Sequence, residues 1–407
     1  MEYIRFKDII RSTQYGYTAD ETSKTEGAYK YLRITDIVPY FVNFETVPFC
    51  SISSNKVEQY LVHEGDILIA RTGATTGYNY VVPKGVKNTV YASYLIRFNV
   101  DETKVLPLYM KYVLKSSYYY GFVYNHIGGS AQPGMNARVF GRFNIPNNTL
   151  PIQRRIASIL SAYDNLIENN NRRIRLLEQM AENLYKEWFV RFRFPGHEKV
   201  EMENGLPKGW SIKKLGEFIR FERGVGYGSK DIENGENVLL SMNNIRPYGG
   251  FIRDYSRPFS GKYKEFQKVK KGDLIMSITD MTQDRRIIGY TGIVPQGKDN
   301  RIICTHLIKL SSETSHSYFL NGLFNYSNLS RIIAERATGA NVLGLTADIL
   351  KNVKSLLPPI DLQLQYVTKV TPILEECFSL QDENENLTRQ RDLLLPRLMS
   401  GKLEVNA

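Results

Sequence analysis

Residues 152–190 contain no glycine or proline, and their apolar positions advance by alternating steps of four and three: Ile156, Leu160, Tyr163, Ile167, Ile174, Leu177, Ala181, Leu184 and Trp188, with Asn170 in the one polar slot. A 3.5-residue period predicts a long helix whose apolar stripe packs on another helix. The period returns over 360–398 at Tyr366, Val370, Ile373, Cys377, Leu380, Leu387, Leu394 and Leu398, with Asn384 and Arg391 in the polar slots. Pro372, near the start of this second helix, predicts a kink or a late start. Neither stripe can be buried by a lone helix, so the two are expected to pair. The globular–helix–globular–helix order, with a short second linker, favours antiparallel packing. Asn170 and Asn384 would then meet near the middle and fix the register.

The rest of the chain has a shorter rhythm. Runs of apolar residues rich in Val, Ile and Tyr, such as 67–70, 90–98, 274–278 and 301–310, alternate with clusters of Gly, Pro, Asn and Thr. These read as strands, with short helices at 106–116 and 317–336 where the apolar spacing is three to four. The pattern is also written twice. Leu32-Arg33-Ile34-Thr35-Asp36-Ile37 returns as Leu240-Ser241-Met242-Asn243-Asn244-Ile245. Glu64-Gly65-Asp66-Ile67 returns as Lys271-Gly272-Asp273-Leu274, and Val81-Val82-Pro83 as Ile293-Val294-Pro295. Tyr15-Gly16-Tyr17 aligns with Val225-Gly226-Tyr227, Tyr94-Leu95-Ile96 with His306-Leu307-Ile308, and Ile145-Pro146 with Leu357-Pro358. One order at nearly constant offset is the mark of an internal repeat. The expected fold class is α/β: two similar mixed α/β domains, 1–150 and 196–358, separated by two long helices, 151–195 and 359–407, that pair as an antiparallel coiled coil.

Charge placement sharpens this picture. The net charge is +11, distributed as +4 over 1–150, +3 over 151–195, +7 over 196–358 and −3 over 359–407. The excess therefore sits on the globular segments, which suits a polyanionic partner. The three cysteines (Cys50, Cys304, Cys377) and five histidines are scattered, which argues against a disulfide framework or a zinc ribbon. His63-Glu64-Gly65-Asp66 lacks the second histidine of a zinc-protease motif and reads as a strand end. No run of about 18 apolar residues is present, and the N-terminal residues lack a signal-peptide core, so a cytoplasmic location without membrane contact is expected. No phosphate-binding Gly-x-x-x-x-Gly-Lys loop occurs, and no Asn-Pro-Pro-Tyr or Asp-Pro-Pro-Tyr run. The Gly224–Gly228 region lacks dinucleotide-motif spacing.

Several stretches carry a family likeness. Leu150-Pro151-Ile152-Gln153-Arg154-Arg155-Ile156-Ala157-Ser158-Ile159-Leu160, followed by Asp164-Asn165-Leu166-Ile167-Glu168-Asn169-Asn170, resembles the central helical region of type I restriction–modification specificity subunits. So do Leu184-Tyr185-Lys186-Glu187-Trp188-Phe189, the linker Leu206-Pro207-Lys208-Gly209-Trp210, and the ending Leu394-Leu395-Pro396-Arg397-Leu398-Met399-Ser400-Gly401-Lys402-Leu403. One departure is Asp361-Leu362-Gln363, where the first copy has a basic Gln153-Arg154-Arg155. The resemblance implies two target-recognition domains, each reading half of a split site in double-stranded DNA, with the helices as spacer. It implies two modification (methyltransferase) subunits docked on the helices, and restriction subunits that translocate and cleave. S-adenosylmethionine, ATP and Mg²⁺ would then sit on those partners, with no cofactor and no catalytic or metal site on this chain. A coiled-coil scaffold without DNA readout and a self-contained nuclease are the alternatives.

Base readout needs hydrogen-bonding side chains projected from loops. Two loops follow the repeated Gly-Asp strand, 71–79 and 279–286, in the same place but with different chemistry. The first offers Arg71, Thr72, Thr75, Thr76 and Asn79; the second offers Gln283, Arg285 and Arg286. The polar loop 130–136 adds Gln132 and Asn136. Lys84, Lys87, Lys298 and Arg301 are phosphate-contact candidates. Tyr118-Tyr119-Tyr120 reads as core or interface packing.

Overall fold

The structure is a computed structural model and describes residues 2–19, 28–127, 134–253, 255–297 and 300–403. The chain forms two compact units. Unit 1 comprises residues 1–170 and 383–407; unit 2 comprises 171–382. Each unit therefore combines one globular segment with part of both long helices, so the compact units cut across the linear four-segment division.

The repeat in sequence is a repeat in topology. In unit 1, a four-stranded antiparallel sheet runs in the order Ile10–Tyr15, Leu95–Val100, Ile67–Ala70, Asn79–Val81. In unit 2 the order is Arg220–Arg223, Leu307–Ser311, Leu274–Ser277, Thr291–Ile293. A second sheet in each unit places one parallel pair beside antiparallel neighbours: Tyr29–Leu32 with Thr89–Tyr91, and Asn237–Leu240 with Asn300–Ile303. A third pairing closes each unit, Tyr3–Arg5 with Asn144–Pro146 and Ser211–Lys214 with Lys354–Leu357.

The apolar runs 90–98 and 301–310 each divide into two strands, because the chain turns from one sheet into the other. The turn closes where Leu95 N donates to Ala92 O and Leu307 N donates to Cys304 O. The turns Ala92-Ser93-Tyr94 and Cys304-Thr305-His306 contain no glycine or proline, so the local sequence does not mark them. A glycine from another strand does. A Cβ on Gly16 would lie 2.2 Å from Ala92 O, and one on Gly224 would lie 2.1 Å from Cys304 O. Only glycine permits that approach. The partner of Gly16 is thus Gly224, not the Gly226 that the alignment of tyrosines suggests. The segment 317–336 also divides, into Ser317–Asn325 and Leu329–Glu335. Between them Ser327 Oγ donates to Leu323 O and accepts from Leu329 N, which ends one helix and starts the next.

The long helices run Leu150–Tyr185, followed by a five-residue π turn Lys186–Val190, and Ile360–Met399. Pro372 is inside the second helix and does not delay its start. The helices pair antiparallel in each unit. In unit 2, Arg173 meets Glu376 at 2.7 Å, Ile174 clusters with Cys377 and Leu380, and the rings of Tyr185 and Tyr366 lie 5.8 Å apart. In unit 1, Ile156, Ala157 and Leu160 share a core with Leu395, Leu398 and Met399. Asn170 occupies its polar slot buried, with Nδ2 lacking a hydrogen-bond partner among the described residues. A buried ion pair between the helices joins Asp164 and Arg391 at 2.9 Å. No helix is long and apolar enough to cross a membrane among the described residues.

Candidate nucleic-acid interface

In unit 1 the buried strand Ile67–Ala70 delivers the chain into the 71–79 loop. The loop is held from below. Asn79 is 1% exposed, and its Nδ2 donates to Gly77 O and Leu114 O. Thr76 is 4% exposed and donates to Gly73 O. Tyr119 OH donates to Gly77 O, and Lys115 Nζ to Asn79 O. Thr76 and Asn79 are thus turned inward, and their burial corrects the expectation that they reach a DNA surface. Gly73 and Ala74 are exposed at the tip, and Arg71, Thr72 and Thr75 are half-buried along its sides. Thr72 bridges to Gly134, and Met135 N donates to Arg71 O, so the stretch after residue 133 lies beside the loop. There Asn136 is exposed and its Oδ1 accepts from Val139 N, capping the short helix Ala137–Phe140. Gln132 lies outside the described residues. Lys84 and Lys87 are exposed in the connection that follows Asn79–Val81.

Unit 2 builds the same place with other residues. Thr279–Asp280 pairs with Leu343–Gly344, as Thr72 pairs with Gly134. Buried Asp280 organises this loop: its carboxylate accepts from Thr282 N, Thr282 Oγ1 and Ile287 N. Gln283 is exposed and donates to Ala340 O. Arg286 pairs with Asp284 at 3.1 Å. Arg285 has a left-handed backbone, φ 54°, and a buried Nε without a partner among the described residues. Arg301 is committed to its own loop, donating to Pro295 O at 2.9 Å with its guanidinium facing the Phe251 ring. Lys298 lies outside the described residues. The tyrosine run divides: Tyr119 is buried, Tyr118 and Tyr120 partly exposed.

A charged cluster in unit 1 was not legible in the helix pattern. Asp164 is 2% exposed and receives Lys111 Nζ at 2.6 Å, Tyr112 OH at 2.8 Å, Arg391 Nη1 at 2.9 Å and Tyr40 OH at 3.1 Å. The Arg391 guanidinium lies 3.9 Å from the centre of the Tyr40 ring. Burial opposes ionisation of Asp164, but Lys111, Arg391 and Tyr112 outweigh it and hold the carboxyl below its ordinary range. Lys115 lies beside this cluster. Burial first, then the charges of Lys111 and Arg391, push its amine down to about 8. The 3.5-residue seam points to Tyr163, one residue away, and an Asp at that place reads as solvated.

Two units of one topology, each presenting a differently furnished loop and each containing an antiparallel helix pair, define a duplicated α/β scaffold. Residues 1–179 match the family described as Type I restriction modification DNA specificity domain. The chain is 26% identical over 352 residues to the type I restriction enzyme MjaIX specificity subunit of Methanocaldococcus jannaschii, covering 84% of this chain and 76% of that protein. It is 23% identical to the MjaVIII specificity subunit of the same organism, covering 99% and 93%. The crystal structure of a type I restriction–modification S subunit from M. genitalium shares the fold, with a TM-score of 0.60, 16% identity and coverage of 98% and 96%. The chain is thus similar, over residues 1–179 in its family match and over most of its length in these relatives, to type I restriction–modification specificity subunits.

Proposed function

We propose that this chain gives a type I restriction–modification complex its DNA sequence preference by reading two half-sites, one with each unit. The observation that carries this is the pair of loops 71–79 and 279–286, which leave equivalent strands and differ in nearly every side chain. A shared scaffold with divergent loops suits two different half-sites. The contact residues proposed for unit 1 are Arg71, Thr72, Thr75, Asn136, Lys84 and Lys87. Those for unit 2 are Gln283, Arg285 and Arg286.

Methylation and cleavage belong, in this reading, to partner subunits that carry S-adenosylmethionine, ATP and Mg²⁺ in the cytoplasm. Leu166, Leu176 and Met180 on the first helix and Ile360, Leu364 and Leu393 on the second are exposed apolar residues that suit methyltransferase docking. The test is methylome sequencing of cells expressing this chain with its methyltransferase partner. A single two-part methylated motif is expected. Full methylation of the same motif after exchange of both loops for glycine-serine linkers would refute the reading.

A further inference from the structure

We infer that Arg71 reads a guanine base in the half-site recognised by unit 1. The inference rests on the DNA-reading function proposed above and specifies it. The backbone places Arg71 without ambiguity. Its N donates to Tyr94 O at 3.0 Å, and its O accepts from Met135 N at 2.9 Å. In unit 2, Ile278 makes the same two bonds: its N donates to His306 O at 3.0 Å, and its O accepts from Leu345 N at 2.9 Å. Arg71 and Ile278 therefore occupy one position of the repeated scaffold. Ile278 is buried there and Arg71 is half-buried. An isoleucine satisfies this position in unit 2, so the scaffold itself does not require a guanidinium.

The guanidinium is nonetheless held in place. Nε donates to Ser93 O at 3.2 Å, and the group lies 5.1 Å from the centre of the exposed Tyr15 ring. These contacts orient the plane and occupy one of its three nitrogens. Nη1 and Nη2 have no hydrogen-bond or ion-pair partner among the described residues. What remains is a fixed pair of donor nitrogens at the edge of a recognition loop.

Of the four base edges in the major groove, only guanine offers two adjacent acceptors, O6 and N7. Adenine puts a donor beside its N7, cytosine presents a donor, and thymine sets one acceptor beside a methyl group. A planar two-donor fork therefore selects guanine, and its prior immobilisation lowers the ordering cost of binding. The isoleucine of unit 2 lacks this chemistry, so the second half-site is read by other side chains.

The experiment uses the full-length chain co-purified with its methyltransferase partner. Binding is measured to duplexes carrying every single-base change of the methylated motif, for wild type, Arg71→Lys and Arg71→Ile. Lysine keeps the charge and loses the fork; isoleucine is the native residue at the equivalent position, and a thermal melt checks folding. Wild type should prefer G·C at one position of one half-site by roughly ten- to hundred-fold. Arg71→Ile should lose that preference, Arg71→Lys should keep only part of it, and both should keep every other one. Retained guanine preference in Arg71→Ile would overturn the assignment, as would equal weakening on all duplexes, the behaviour of a phosphate clamp. A wild-type complex with no sequence preference would instead refute the DNA-reading function, and this assignment with it.

Discussion

Asp164 and Arg391 illustrate how one charge pair is built into only one copy of a duplicated scaffold. Gln153 and Gln363 are both buried at the starts of the two long helices, 210 residues apart. At that offset Leu374 stands where Asp164 does, and Ala181 where Arg391 does, both buried. Basic Arg154-Arg155 then aligns with Leu364-Gln365, so the departure in charge noted in sequence stands, two residues further along. Removing one member of a buried ion pair strands the other, at a cost of about 3–5 kcal/mol. Asp164→Leu and Arg391→Ala should each destabilise unit 1 by that order in urea titrations. The double variant, copying unit 2, should cost less than the sum, because no charge of the pair is left uncompensated. Strict additivity would show the two residues to be independent. Acidification should act on the same pair. The carboxyl is held low in the folded chain, so its contribution is complete above the unfolded value of ~3.9 and is lost as pH falls through the lower folded value. Lys115 has the opposite slope. Its folded value of about 8 lies below the ~10.4 of an unfolded lysine, so between them the unfolded chain binds more protons and stability rises with pH. Melts from roughly pH 8 to 9.5 should show that rise in wild type and not in Lys115→Met; an equal rise in both would clear Lys115 of the effect.

At the scale of elements, the two loops owe their shape to buried polar anchors. In the second loop Asp280 accepts three hydrogen bonds, from Thr282 and Ile287. Asp280→Ala would leave those donors without their acceptor and release the turn they close. Hydrogen exchange of 282–287 should then quicken, and discrimination in one half-site should fall while the other is unchanged. Unchanged exchange in this segment would show that the loop is held by other contacts. The first loop depends on Gly77, whose φ is +88° and whose Cβ would meet Val123 at 2.7 Å. The loops were legible as polar segments after a repeated strand. Which of their side chains face inward was not, because Asn79 is drawn in by Leu114, a residue 35 positions away.

At the scale of the whole molecule, each compact unit is completed by residues remote in sequence. Leu395, Leu398 and Met399 pack into the core that contains Phe6, Tyr109 and Leu160. A chain ending at Asp382 would lose all three together with Arg391. It should unfold or aggregate in unit 1 while unit 2 keeps its protection in hydrogen exchange. Undiminished protection of Ile67–Ala70 in that truncation would show that 1–170 folds without the second helix's end.

Sequence alone determined the elements that depend on local periodicity. The two long helices, their apolar stripes, the duplicated strand order and the basic globular segments all follow from spacing and composition within short windows. Tertiary structure decided what depends on contacts between distant residues. It alone divides the run 90–98 at a turn that Gly16 must approach, and buries Asp164 among Lys111, Tyr112, Tyr40 and Arg391. It also turns Asn79 inward and leaves the terminal nitrogens of Arg71 without a partner among the described residues, since a side chain's direction is set by whatever partner lies within about 3 Å in space. Hydrophobic spacing registers which face of an element is covered, and is blind to which residue from elsewhere in the chain covers it.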